Sequence, residues 1–206
     1  RRRDSRNEGR RMTPSERMSA CEALTGPVDP WDYARKIGKS HDIGEYLAHF
    51  GAYLKACGVR HFSALEVSTP SKSSQAVAAN TGSAKSMYRG QFVLVTPVLL
   101  WPMMAAVALL ADEIREALDA PITLRNGLRP WWINQQVAPS GIGSDHPMTA
   151  AVDLDLSSSG DVDAAHEKAS ALYRKHGDDL EISIGQGKTV IHIGIHSPGG
   201  HRRWTY

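Results

Sequence analysis

Three side chains of the sequence are of the types that bind a divalent transition metal. His146 and Asp153 lie seven positions apart, where an alternating segment, residues 150–156, begins, and His192 lies in a second apolar segment nearer to the carboxyl end. Catalytic zinc sites commonly take three ligands from His, Asp and Glu and leave a fourth position to water. Zinc lowers the pKa of that water to about 7 and polarises the carbonyl group that it attacks. The three residues are therefore candidate ligands of a hydrolytic zinc site.

Two predicted strands would carry two of these side chains towards one point. Asp153 and His192 each alternate with branched apolar residues, so each points to the opposite strand face from its apolar neighbours. If the two strands pair, both side chains meet, and His146 enters from the loop before the first strand. Types and spacing alone are a weak signal, because a His on an apolar strand is more often a satisfied core residue.

The remaining periodicity predicts a scaffold of helices and strands in an α+β arrangement. Asp42 suits the N-cap and Gly58 the end of one clear amphipathic helix. We expect long loops over residues 68–89 and 127–143, and a small, mainly antiparallel sheet backed by helices. The predicted helices cover residues 15–24, 42–57, 102–119 and 162–176, and the predicted strands cover residues 121–126, 150–156, 180–184 and 189–195.

An uncharged run, residues 92–111, approaches the length of a membrane-spanning helix, which is about twenty residues. Pro97 and Pro102 interrupt the run, and a charged segment, residues 112–116, follows it directly. Apolar residues also recur at steps of three and four from Met103 onwards. This pattern predicts a helix buried in the protein core and no membrane span.

Length and composition fit one folded domain with an N-terminal arm. The chain has 206 residues, of which 41% are hydrophobic and 22% charged, and its net charge of +2 does not favour nucleic acid as a partner. Residues 1–11 are rich in Arg, so this tip is either solvated or a contact for phosphates or an anionic wall polymer. We expect residues 1–40 to form the basic arm and 41–206 the domain. Cys21 and Cys57 are expected to be free thiols or packing residues.

The metal-ligand segment also resembles a known family. Its pattern, Ser144-x-His146-x-x-Thr149-x-Ala151-x-Asp153, resembles the Ser-x-His-x-x-Gly-x-Ala-x-Asp motif of the D-Ala-D-Ala carboxypeptidase family of zinc peptidases, which includes peptidoglycan endopeptidases.

Three further segments extend this resemblance over roughly residues 60–206. Residues 124–134 look like the family's Thr-Ser-Gly-Tyr-Arg-Ser-Pro-x-Tyr-Asn segment. Residues 190–194 and 201–204 are similar to the Phe-Val-His-Val-Asp and closing Arg-x-Arg-Trp of one peptidoglycan-cutting subgroup. Residues 61–66 look like an element that precedes the domain in phage-encoded members.

The resemblance implies a hedgehog/D-Ala-D-Ala-peptidase-like fold and a zinc-dependent carboxypeptidase or endopeptidase that cuts peptidoglycan stem peptides. It implies Zn²⁺ ligation by His146, Asp153 and His192. Arg129 matches an arginine that binds the substrate carboxylate or the oxyanion, and Ser144 matches a residue that shapes the ligand loop near metal or substrate. The implied partners are a peptidoglycan peptide and other virion proteins, and the implied location is a phage virion or the extracytoplasmic cell wall.

This chain departs from the family pattern at three positions. Thr149 replaces the usual Gly, Gly194 replaces a frequent Asp, and Thr189 stands where related carboxypeptidases keep an acidic general base. His196 and Glu181 are the two candidates for the missing base. The departures leave open an alternative function, in which the chain is a catalytically impaired, zinc-stabilised wall-binding or virion structural module.

Overall fold

The computed structural model describes residues 13–38, 42–80, 86–137, 144–158, 161–196 and 202–205. The Arg-rich tip, residues 1–11, lies outside the described residues. In chain order the elements are α1 (Pro14–Thr25), α2 (Trp31–Ala34), α3 (Ile43–Ala56), α4 (Ala64–Ser68), α5 (Lys72–Asn80), β1 (Ser86–Tyr88), β2 (Gln91–Val93), α6 (Trp101–Leu118), β3 (Thr123–Asn126), α7 (Trp131–Val137), β4 (Ala151–Asp155), α8 (Val162–Leu180), β5 (Ser183–Gln186), β6 (Val190–Gly194) and β7 (Arg202–Thr205).

The strands form a two-stranded and a five-stranded sheet. The small sheet is the antiparallel pair β1–β2, and the larger sheet has the strand order β3-β4-β6-β5-β7. All neighbours in the larger sheet are antiparallel except β5 and β7, which are parallel. Helices α6 and α8 pack against the central strands of this sheet. The predicted α+β class is therefore confirmed, with a mixed larger sheet in which antiparallel pairs predominate.

Helix α6 lies at the centre of the core, as the periodicity predicts. Twelve of its residues are buried, and the helix contacts α1, α8, β4 and β6. Its one buried acid, Asp112, accepts hydrogen bonds from the backbone N–H groups of Arg60 and His61 at 2.6 and 3.1 Å. No helix in the described ranges is long and apolar enough to cross a membrane.

Local capping residues explain where two of the helices begin and end. Asp42 accepts a hydrogen bond from the backbone of Glu45 and caps α3, as predicted. Gly58 follows α3 with a φ of 94°, a conformation that glycine adopts without steric cost. At α1, Thr13 and Glu16 form a reciprocal capping box. The predicted helix near residues 15–24 is thus confirmed.

Two of the predicted loops contain helices instead. Residues 68–89 include α5 and β1, and residues 127–143 include α7, so the prediction of long loops is wrong for the described parts of both segments. Helices α5 and α7 pack against each other. Helix α5 is mostly polar and α7 has only seven residues, so neither is recognisable from an apolar period in the sequence. The predicted strand at 180–184 is also displaced, because α8 continues to Leu180 and β5 begins at Ser183.

The N-terminal segment is packed against the domain where it is described. Helix α1 contacts α6 and α8, and Cys21 on this helix is fully buried in the main core. Cys21 and Cys57 are both free and buried, which confirms their prediction as unpaired packing residues. Burial raises the pKa of the Cys21 thiol to about 12, so this thiol is neutral and unreactive.

Candidate metal centre

The register of the central sheet brings the predicted ligands together. Strands β4 and β6 pair so that Asp153 lies directly opposite His192. His146 opens a single 3₁₀ turn, His146–Met148, immediately before β4. One ligand therefore comes from each of two neighbouring strands, and the third comes from the turn that leads into the first of them.

The ligand atoms of these three side chains form a compact cluster. Asp153 Oδ1 lies 3.3 Å from His146 Nε2 and 3.0 Å from His192 Nδ1. One candidate atom from each residue lies within 4.8 Å of the other two, and all three residues are buried. Two imidazole nitrogens and one carboxylate oxygen in this arrangement could hold a metal ion, and the donor types suit zinc among other transition metals.

The backbone immediately after β3 orients the first histidine. His146 Nδ1 lies 2.9 Å from the carbonyl oxygen of Gly127, so Nδ1–H donates and Nε2 keeps its lone pair for a metal. Gly127 is required at this position because a Cβ there would overlap the carbonyl oxygen of Val67 on α4. The close approach of α4 to the end of β3 thus fixes the carbonyl that holds His146.

Asn126 is a site residue that the sequence did not single out. Its Nδ2 donates to Asp153 Oδ2 at 2.9 Å, and its Oδ1 accepts from the backbone of Ser71 at 2.9 Å and from Ser74 Oγ at 3.5 Å. The amide therefore holds the second carboxylate oxygen, and Oδ1 of Asp153 remains directed at the histidines. The register of β3 against β4, which includes an irregularity next to Asn126, creates this contact. The sequence around Asn126 contains no pattern from which this register could be predicted.

Burial and neighbouring charges together set the pKa of each of the three candidate ligands. Burial alone would raise the pKa of Asp153, but the neighbouring imidazoles of His146 and His192 outweigh it and hold that pKa well below its usual range. Burial lowers the pKa of His146, and this effect exceeds the opposing influence of Asp153. Burial would also lower the pKa of His192, but Asp145 and Asp153 together raise it. An ionised Asp153 and a neutral His146 are the states in which these residues bind metals.

Arg129 lies near the cluster, and Ser144 precedes it in the chain. Arg129 Nε donates to Asn134 Oδ1 at 2.8 Å, its backbone N–H donates to the carbonyl of His146, and its charge contributes to the lowered pKa of His146. The side chain is half-buried, and its roles with substrate stay a prediction. Ser144 is half-buried and immediately precedes Asp145, and its role also stays a prediction.

The two candidate bases contact helix α1. Strand β6 ends at Gly194, so the condition that would place His196 on the same strand face as His192 is not met. His196 Nε2 instead lies 3.4 Å from Cys21 Sγ, and the residue is 2% exposed. Glu181 follows α8 rather than lying on a strand, and it pairs with Arg17 at 3.5 Å. Neither contact supports a role in proton transfer, which stays a prediction for both residues.

The buried position of His196 predicts a stability that depends on pH. Burial, helped by the charge of Arg17, lowers its pKa from 6.5 to about 4. The unfolded chain therefore binds this proton first, and the stability present above about pH 6.5 is lost as the pH falls towards 4. We expect wild type to lose about 2–3 kcal/mol more than His196→Asn between about pH 7 and pH 4.5 in urea titrations. Parallel pH profiles of the two proteins would contradict this assignment.

Thr149 occupies the turn position at which the resembling family has Gly. It closes the 3₁₀ turn with φ 57° and ψ 23°, the left-handed conformation that glycine adopts most easily. Thr149 is fully buried, and its Oγ1 finds no hydrogen-bond partner among the described residues. The turn that carries His146 is therefore formed, at a cost in backbone strain.

Relief of this strain should stabilise the protein. We expect Thr149→Gly to raise the free energy of unfolding by about 1 kcal/mol, since a left-handed residue with a Cβ costs roughly 1–2 kcal/mol and glycine's extra chain entropy offsets part of the gain. Thr149→Ala is the matched control, because it removes the hydroxyl and keeps the Cβ. Urea denaturation measures both changes, and a Thr149→Gly protein that is less stable than Thr149→Ala would refute the explanation.

A cleft of about 610 Å³ opens beside the metal-ligand cluster. Asp153 and Asn126 form part of its wall, and Ser71, Lys72 and Arg125 contribute hydroxyl and cationic groups. Arg125 Nε also pairs with the half-buried carboxylate of Asp155 at 3.3 Å. One of the predicted ligands therefore faces a space that is large enough for part of a peptide and is lined by hydrogen-bonding groups.

Comparison with known proteins did not identify a family for this chain. No protein-family model matches the chain, and searches of the curated proteins and of the solved structures likewise found no match. The function is therefore inferred from the cluster and its surroundings.

Proposed function

We propose that this protein is a zinc-dependent peptidase that hydrolyses peptide bonds in peptidoglycan stem peptides, with a hedgehog/D-Ala-D-Ala-peptidase-like fold. The observation that carries the proposal is the buried cluster of His146, Asp153 and His192, whose candidate ligand atoms lie within 4.8 Å of one another. Three ligands of these types are the usual protein contribution to a catalytic zinc site. The motif resemblance around the same residues supports the substrate class.

The residues around the cluster have distinct tasks under this proposal. His146, Asp153 and His192 would hold the zinc, while Asn126 and the carbonyl of Gly127 fix the orientation of two of these ligands. A bound zinc ion would supply a Lewis acid for the scissile carbonyl and lower the pKa of a coordinated water. Arg129 carries a permanent positive charge and a planar fork of donors, which suit it to a substrate carboxylate or a developing oxyanion.

The cleft supports a polar peptide as the substrate. Its wall carries the cations Lys72 and Arg125, the second of which pairs with Asp155, and the hydroxyl groups of Ser71 and Thr123. The ammonium group of Lys72 can attract a free carboxylate of a stem peptide, and hydroxyl groups can bond to peptide amides. The resemblance also suggests a phage virion or the extracytoplasmic cell wall as the place of action.

A second candidate function is a zinc-stabilised wall-binding or virion structural module without turnover. The specific observation in its favour is that the contacts of His196 and Glu181 are with Cys21 and Arg17 on helix α1. Neither candidate base is thus supported by a contact to the ligand cluster. This module would keep the metal and the cleft and use them for stability and binding.

A digestion experiment separates the two functions. Purified peptidoglycan is incubated with zinc-loaded wild type, with His146→Ala and with His166→Ala, a half-exposed histidine on α8 that serves as the control. New amino termini are then identified by mass spectrometry. The peptidase proposal expects cleavage by wild type and by His166→Ala, and none by His146→Ala.

The other outcomes decide against the peptidase. If zinc-loaded wild type cleaves nothing under conditions in which a known zinc peptidase does, the peptidase proposal fails. Zinc bound by wild type without cleavage, together with lower thermal stability of His146→Ala, would support the structural module. Equal metal content in wild type and His146→Ala would exclude both functions.

A further inference from the structure

The second nitrogen of His192 is buried beside the carboxylate of Asp145. His192 Nε2 is 3.5 Å from Asp145 Oδ2, and no polar atom of the described residues makes a normal hydrogen bond to it. The ring is buried, so water does not compete for this nitrogen. A carboxylate oxygen only accepts hydrogen bonds, so the nitrogen that faces it is in a position to carry a hydrogen.

The Asp145 carboxylate is held in place from several sides. Ser183 Oγ donates to the same oxygen, Oδ2, and the Asp145 side chain is fully buried. The Asp145 carbonyl accepts from the backbone N–H groups of Met148 and Ala150, each at 3.1 Å, which fixes the main chain. Asp145 is thus an acid fixed by packing and hydrogen bonds on the side of His192 away from Asp153.

Gly194 supplies the space that this acid occupies. Strands β5 and β6 pair Ser183 with Gly194, and a Cβ at position 194 would overlap both the Asp145 carboxylate and the Ser183 hydroxyl. The resembling subgroup often has Asp at position 194, so the glycine first suggested a lost acidic group. In this fold the carboxylate of Asp145, from the turn before β4, lies in the same region. It fits there only because position 194 has no side chain.

His192 therefore lies between two carboxylates that compete for its hydrogen. Asp153 Oδ1 is 3.0 Å from Nδ1, so a hydrogen on Nδ1 would also find an acceptor. That tautomer would block Nδ1 as a metal ligand, because the ligating nitrogen of a histidine must carry a lone pair. Asp145 favours the opposite tautomer, with the hydrogen on Nε2.

We propose that Asp145 is a positioning residue, which holds His192 with its hydrogen on Nε2 and so keeps the Nδ1 lone pair available for the metal. The inference rests on the proposed metal site and assigns it a carboxylate–histidine–metal arrangement. Ser183 and Gly194 belong to the same unit, since one fixes the carboxylate and the other admits it. Asp145 contacts neither metal nor substrate in this arrangement.

The test is the zinc affinity of Asp145→Asn, measured by competition with a chromophoric chelator. The carboxamide has the same size but can donate to Nε2, which favours the blocking tautomer. We expect zinc to bind about 10–100-fold more weakly, as is typical when an outer partner of a ligating histidine is lost. Ser183→Ala is the matched control, because it removes a hydrogen bond to Asp145 and keeps the carboxylate, and we expect only a few-fold effect. Wild-type affinity in Asp145→Asn would overturn the proposal.

A second measurement uses the metal-free protein and does not depend on zinc binding or peptidase activity. Long-range ¹H–¹⁵N NMR correlations at alkaline pH report which nitrogen of His192 carries the hydrogen. We expect Nε2 in wild type and in Ser183→Ala, and Nδ1 in Asp145→Asn. A hydrogen on Nδ1 in wild type overturns the inference even if Asp145→Asn fails to fold. If wild type does not bind zinc, the proposed function fails, and the tautomer measurement still decides the role of Asp145.

Discussion

Asp153→Asn is expected to abolish metal binding and to reduce any peptidase activity to the uncatalysed background. The replacement keeps the size of the side chain and removes the negative charge that the two histidines of the cluster share. The change removes a ligand itself, so zinc affinity should fall by more than the roughly 10–100-fold that loss of an outer partner costs. Chelator competition measures the affinity, and peptidoglycan digestion measures the activity.

Asp155→Asn provides the matched control on the same strand. Asp155 lies two residues further along β4, is half-buried and pairs with Arg125 at 3.3 Å. Loss of this partly exposed ion pair should change stability by no more than about 1 kcal/mol and should leave zinc affinity within a few-fold of wild type. If both variants lost zinc to the same extent, a general effect of charge in the cleft would explain the result, and Asp153 would not be a ligand.

Trp101→Ala is expected to lower the free energy of unfolding by about 3–5 kcal/mol, the largest effect on stability that we predict. Trp101 is fully buried at the start of α6, with ring centroids 4.8 Å from Phe50 and 5.4 Å from Tyr53. Its indole N–H also donates to the carbonyl of Thr96 at 3.0 Å. The substitution removes these contacts and leaves a cavity where α3 meets α6. Urea denaturation measures the loss.

Leu99→Ala tests whether this loss arises from burial or from any apolar truncation in the same segment. Leu99 is two residues away and 68% exposed, so its replacement should change the free energy of unfolding by no more than about 0.5 kcal/mol. A change of similar size in the two variants would contradict the description of α6 as the centre of the core.

The elements that the sequence predicted well are those with strong local signals. Helix α3 has an apolar stripe, an N-cap at Asp42 and a glycine after its end, and all three act within a few residues of one another. Helix α6 has its apolar period and an early proline, and the uncharged run proved to be a core helix. Helices α5 and α7 lack such signals, because α5 is mostly polar and α7 has only seven residues, too few to show a helical period.

In the candidate site, too, the features with a local signal were predicted and those that depend on distant segments were not. The ligand types and their order along the chain could be taken from the sequence, and the alternation around Asp153 and His192 predicted which way each would point. The left-handed conformation at Thr149 was not predicted, because the sequence showed only that Thr replaces the glycine usual in the resembling motif. The partners of the ligands could not be predicted, since each of them depends on how distant segments align.

The sequence by itself therefore determined the candidate ligand residues, the strands that carry two of them and the central helix behind the sheet. Only the tertiary structure decided what surrounds those donors. Asn126 reaches Asp153 across 27 residues, Gly127 reaches His146 across 19, and Ser183 reaches Asp145 across 38. Such contacts are set by strand register and by the space that glycines leave between packed elements. The alternation within a strand fixes the face to which each side chain points, but a slip of two residues keeps that face and changes every cross-strand partner, so local sequence does not encode these contacts.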